Sequence, residues 1–126
     1  MASIYDHIKN AVEAAGYFSS LKTRPSGKQR LIVASRRLAN GRGLCGNSFW
    51  IHEFEGVLYL GHWSSRLYVI PDAGRVVDFC LEWFSRVPDK LPGDFDEHCK
   101  TKYGLIDVTE KSIADRIWGA EPEFDV

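Results

Sequence analysis

The sequence predicts a single two-layer α+β domain: an N-terminal helix, an antiparallel sheet of about four strands arranged as a meander, and C-terminal helices packed on one face of that sheet. Three observations carry the prediction. Apolar residues recur at helical spacing over residues 3–15, three aromatic and β-branched runs separated by turn residues fill 48–72, and a helical period returns over 73–84. Helix, then strands, then helices is the order from which two-layer α+β domains are built. The 126 residues suit one domain that buries roughly two-thirds of its unfolded surface. The domain is assigned to 1–126, with 119–126 read as a flexible acidic tail.

Each element has a local reason. Ser3 caps the first helix with Asp6 in its first turn, Ile4, Ile8, Ala11, Val12 and Ala15 form its apolar stripe, and Gly16 stops it. Thr23-Arg24-Pro25-Ser26-Gly27 is a basic turn, and QRLIVASRRL after it reads as a strand of mixed burial, broken by Asn40-Gly41-Arg42-Gly43. In the meander, Glu55-Gly56 suits a tight hairpin in which glycine supplies a positive φ. Strand alternation then places Trp50, His52 and Phe54 on one face and Phe49, Ile51, Glu53 and Glu55 on the other.

Pro71-Asp72 ends the meander, and Asp72 caps a helix whose stripe is Ala73, Val76, Val77, Cys80, Leu81 and Phe84. Trp83 falls off that stripe and is expected to be partly exposed. Pro88 stops this helix, Pro92-Gly93-Asp94 opens a shorter one ending at Gly104, and Thr109 precedes a terminal helix containing Ile113, Ile117 and Trp118. Leu105-Ile106-Asp107-Val108 leaves room for an extra short strand.

Composition narrows the function classes. Apolar content of 44% and charged content of 26% are those of a globular protein, and no window approaches the ~18 apolar residues of a membrane span. The N-terminus lacks the basic and apolar regions of a secretory signal. Cys45, Cys80 and Cys99 are odd in number and never spaced C-x-x-C, so neither a disulfide framework nor a zinc knuckle is expected; the location expected is cytoplasmic. The net charge of -1 hides an asymmetry: residues 21–44 carry seven cations and no acid, whereas residues 107–126 carry six acids and two cations.

Candidate chemistry is sparse. In GRGLCGNSFW, Cys45 sits between glycines after a basic run, and the segment resembles the papain-like cysteine proteases over about six residues; the nucleophile's place falls on Ser48 or Phe49 and a strand follows, so no catalytic role is transferred. Cys45, His52 and His62 are the weak catalytic candidates, with Arg66 joining them if a ligand pocket lies over the sheet. The spacing of His7, His52, His62 and His98 predicts no metal site. The carboxylates of GDFDEHC read as helix-capping groups, and no Walker, nucleophile-elbow or dinucleotide motif is present, so no cofactor is expected.

Binding residues are clearer. Arg36, Arg37 and Arg42 in the basic segment 22–42, with Trp63 and Arg66 in HWSSRLY, are residue types enriched at interfaces. The leading expectation is a small non-enzymatic protein that binds another protein, with a homo-oligomer through the sheet face or edge as one form of this. In size and character it looks like bacterial immunity or accessory proteins, a likeness of type that assigns no residue. The alternatives are a ligand-binding protein or enzyme, and nucleic-acid binding through 22–42, which a sequence pI near 6.4 disfavours.

Overall fold

A computed structural model describes residues 3–37, 47–62, 66–87 and 94–117, apart from the side chains of Lys111 and Ser112. Arg42, Cys45, Trp63 and the acidic tail 119–126 lie outside the described residues. Helix α1 (Ile4–Ala14) is followed by strands β1 (Phe18–Thr23), β2 (Gln29–Ala34), β3 (Phe49–Phe54), β4 (Val57–Gly61) and β5 (Leu67–Val69). After a 3-10 turn at Ala73–Arg75 come α2 (Val76–Arg86), α3 (Glu97–Lys102), β6 (Ile106–Asp107) and α4 (Lys111–Ile117). All six strands form one antiparallel sheet in sequence order, β1 to β6.

The α+β architecture expected from the sequence is present, with six strands among the described residues where about four were expected. β1 and β6 are the additions, one at each edge. β1 runs fully in register with β2, from Phe18 opposite Ala34 to Thr23 opposite Gln29, and β6 joins β5 through Tyr68–Asp107 and Val69–Ile106.

Local signals act as the chemistry dictates. Ser3 and Asp6 form a reciprocal capping box on α1. Asp72 accepts from Gly74 N at 3.0 Å to cap the 3-10 turn, and Asp96, rather than Asp94, caps α3 by accepting from Cys99 N at 2.9 Å. In the β3–β4 hairpin both Glu55 (φ 52°) and Gly56 (φ 79°) are left-handed, the pattern of a type I′ turn, whose twist matches that of the flanking strands.

The core lies on one face of the sheet. Ile8 and Val12 of α1 and Val76, Phe79, Cys80, Trp83 and Phe84 of α2 pack against Leu31, Val33, Phe49, Ile51, Leu58 and Leu60. Aromatic rings dominate its α2–α3 end: Phe95 meets Phe49, Phe79 and Trp83 edge-on, with centroids 5.0–5.2 Å apart. Trp83 is fully buried, contrary to the exposure expected of it. The stripe of α2 is centred on 76, 79, 80 and 83, and the indole Nε1 finds an acceptor in Asn47 O at 2.8 Å.

Candidate functional site

One face of the sheet holds the core; strand alternation turns the other, here the outer face, away from α1 and α2. Two rows of side chains cross it. One runs Ser20, Ile32, Trp50, Gly61, Leu67, each directly opposite the next across the ladders. The other contains the pair Lys22–Arg30 on β1–β2 and the continuous series His52, Tyr59, Val69, Ile106 on β3–β6.

The two halves of this face differ. Towards β1–β3, cations lie over aromatic rings: Arg30 is 5.2 Å from the Trp50 centroid, Arg37 is 4.5 Å from that of Phe18, and Arg116 of α4 is 5.4 Å from that of Phe54. Trp50 has room because its cross-strand partner, Gly61, carries no Cβ. The end of α4 is fixed at this side by Lys28 Nζ donating to Arg116 O at 3.0 Å and by Arg116 facing Glu55 at 3.7 Å. Thus α4 reaches the rim of the outer face, while α1 and α2 occupy the core face.

Towards β4–β6 the face is apolar and open. Ile106 is 52% exposed and Val57 36%, and these are the exposed large hydrophobic residues among the described ones. Ile106 pairs with Val69, and Val69 with Tyr59; Val57, two residues before Tyr59 on β4, points to the same side. At the β5–β6 edge Arg66 donates to Asp107 at 2.9 Å, both side chains being about half exposed; Asp107 pairs with Tyr68, so alternation puts this ion pair on the α3 side of the sheet, opposite the patch.

The histidines expected as catalytic candidates are kept apart. His52 is 3% exposed on the outer face; burial, and then the charge of Arg30, push its pKa down to about 3, so it is neutral at neutral pH and a poor general base. His62 follows Gly61 and packs on the core side, 4.8 Å from the Phe95 ring centroid and 6.2 Å from that of Trp83. Burial lowers its pKa, with Asp94 opposing and Lys100 reinforcing the effect. No group of His, Cys, Asp and Glu among the described residues has the geometry of a metal site. Burial pushes the thiol pKa of Cys80 well up and that of Cys99 up to about 12, so both stay protonated.

A cleft of about 420 Å³ between α3 and the β5–β6 edge is lined by residues including Tyr68, Glu97, Lys100 and Asp107. Its polar groups are engaged with each other: the Tyr68 hydroxyl donates to Asp94 at 2.6 Å, and Lys100 meets Asp94 at 3.1 Å and Glu97 at 2.9 Å. Those contacts read as a brace between α3 and the sheet.

Of the residues expected to bind, Arg36 and Arg37 are exposed just beyond β2, and Arg66 lies at the β5–β6 edge on the face opposite the apolar patch. Tyr59, Val69, Val57 and Ile106 were not singled out from the sequence. The signal that could have found them is strand alternation carried through β4 and β5 onto Leu105-Ile106-Asp107-Val108. Compared with protein-family models, curated proteins and solved structures, the chain matches none.

Proposed function

We propose that this chain acts by binding another protein through the β4–β6 half of the outer face, with Ile106, Val69, Tyr59 and Val57 at the centre of the contact. The observation that carries the reading is the clustering of the exposed large hydrophobics with Tyr59 and Val69 on one face. Apolar side chains gathered in this way mark interaction surfaces, and an aromatic residue at the centre, here Tyr59, is typical of binding hot spots. The role is non-enzymatic, of the accessory or immunity type. It suits the cytoplasm, where the buried free thiols Cys80 and Cys99 stay reduced.

Nucleic acid is the weaker reading. Base stacking needs an accessible aromatic ring, whereas Phe18, Trp50 and Phe54 each already lie beneath an arginine. The test is affinity capture from the native cell with the wild-type chain, Ile106→Asp and the α1 surface control Asn10→Asp. A hot-spot residue changes affinity by about tenfold or more, so the captured protein is lost with Ile106→Asp and kept with Asn10→Asp. Equal recovery with all three contradicts the assignment.

A further inference from the structure

The path of α4 can be traced from its two ends. The chain leaves β6 at Leu67, where Val108 N donates to Leu67 O at 2.8 Å and Thr109 Oγ1 accepts from Leu67 N at 2.9 Å. Leu67 pairs with Gly61, at the far end of β4 from the Glu55-Gly56 turn. α4 finishes at that turn: Arg116 faces Glu55 and lies over the Phe54 ring, and Lys28 holds Arg116 O. Because Phe54 points to the outer side, the chain from Thr109 to Ile117 returns along the outer face, and α4 packs against β3. His52 of β3 is buried although its side chain turns away from α1 and α2. Among the described residues, α4 is the helix on its side.

We propose that α4 is a strap that closes part of the outer face in cis and lifts to admit the protein partner, extending the contact from Tyr59 and Val57 onto Phe54 and His52. This rests on the protein-binding reading and adds how that site is controlled. The root of the strap is fixed by hydrogen bonds to the Leu67 backbone, so its far end can move without detaching β6. That end meets Lys28 and Glu55 through exposed polar contacts, a kind that holds weakly in water. A helix of seven residues does not stand without packing, so α4 opens as one unit. Val57 pairs with Phe54 across the β3–β4 ladder. Lifting α4 therefore joins the Phe54 ring to the apolar patch already exposed, and a partner that uses the joined surface selects the open state.

Two full-chain variants release α4 through different contacts. Ile117→Asp places a charge at its buried position, and Lys28→Gln with Arg116→Gln removes the polar anchors. Acylation by diethyl pyrocarbonate, read by peptide mass spectrometry at neutral pH, reports access to each imidazole. His7 is exposed and serves as the reference, and His62, buried on the core side, reports an intact fold. Reaction of a covered group follows the open population, so His52 reacts about tenfold faster, relative to His7, in both variants than in the wild type, while His62 stays protected. Capture from the native cell gives the second reading. Apparent affinity scales with the competent fraction, so releasing a strap that is open in about one molecule in ten lowers the half-saturating concentration of bait about tenfold. His52 as protected in both variants as in the wild type overturns the proposal. So does equal or weaker capture by the released variants while Ile106→Asp still abolishes capture, a result that leaves the protein-binding reading standing. Capture unaffected by Ile106→Asp overturns both.

Discussion

The indole of Trp50 lies over the backbone of Gly61, its direct partner across the β3–β4 ladder: a Cβ at residue 61 would sit 1.9 Å from Trp50 Nε1 and 2.4 Å from Cδ1. The pair sets the surface of the outer face. Gly61 lets the indole lie down across β4, and Arg30 lies over the ring 5.2 Å from its centroid.

Gly61→Ala therefore pushes Trp50 out of position. Overpacking of this kind costs about 1–3 kcal/mol, measurable as a lower urea midpoint together with a displaced Trp50 indole N–H signal. In a Trp50→Ala background the same substitution meets no ring and becomes nearly neutral, a coupling that a double-mutant cycle reads directly. Equal costs in the two backgrounds would show that the contact is not the cause.

Asn47 joins three elements. Its Oδ1 accepts from Ser35 N at 3.2 Å, its Nδ2 donates to Val87 O at 2.6 Å, and its own carbonyl accepts from Trp83 Nε1. Asn47→Ala removes both of these side-chain hydrogen bonds to part-buried backbone groups and is expected to cost about 1–3 kcal/mol. Asn47→Asp keeps an acceptor for Ser35 but has no donor for Val87 O. Urea unfolding should find it destabilised as well, despite the near-identical shape.

Much of the fold was legible because its signals are local. The capping box at Ser3, the Glu55-Gly56 hairpin, the β3 alternation and the α2 period each rest on a few adjacent residues. β1 was not legible: FSSLKT has two serines and one aliphatic residue, and it becomes a strand because β2 supplies a full ladder. β6 is two residues long and exists through its pairing with β5. Trp83 was misplaced because one-residue errors in the centre of a helical stripe exchange its flanks. The apolar patch depends on long-range register, since Ile106 meets Val69 across 37 residues of chain, and no local pattern records that.

Acid should loosen the α2–α3 junction. Glu82 accepts from Lys102 at 2.7 Å, Tyr103 at 2.8 Å and His98 at 2.6 Å. These donors, Lys102 foremost, hold its carboxyl at about 2 against an ordinary 4.5. A carboxyl with a folded pKa below its unfolded value adds stability that is complete above the unfolded value and is lost as pH falls through the folded one. The Glu82 contribution thus fades between about pH 4.5 and about pH 2. Glu82→Gln should lower the urea midpoint near neutral pH, and its gap from the wild type should close towards pH 2; a gap constant across that range contradicts the ion-pair origin.

Glu55 is a non-glycine residue held at φ 52°, in a region that suits asparagine better. Glu55→Asn creates the Asn-Gly pair favoured in type I′ turns, and the exposed contact with Arg116 that it removes is worth little. Thermal unfolding should show a gain of up to about 1 kcal/mol. A loss would mean that the Arg116 contact matters more than turn strain.

The central claim is that the β4–β6 half of the outer face meets a protein partner. It is tested most directly by site-specific photocross-linking in the native cell, with the photoreactive residue placed in turn at Ile106, at Tyr59 and at the α2 surface position Asp78. The account predicts one discrete protein adduct shared by positions 106 and 59 and absent at 78. Adducts to nucleic acid at 106 and 59, or the same protein adduct at all three positions, would contradict it.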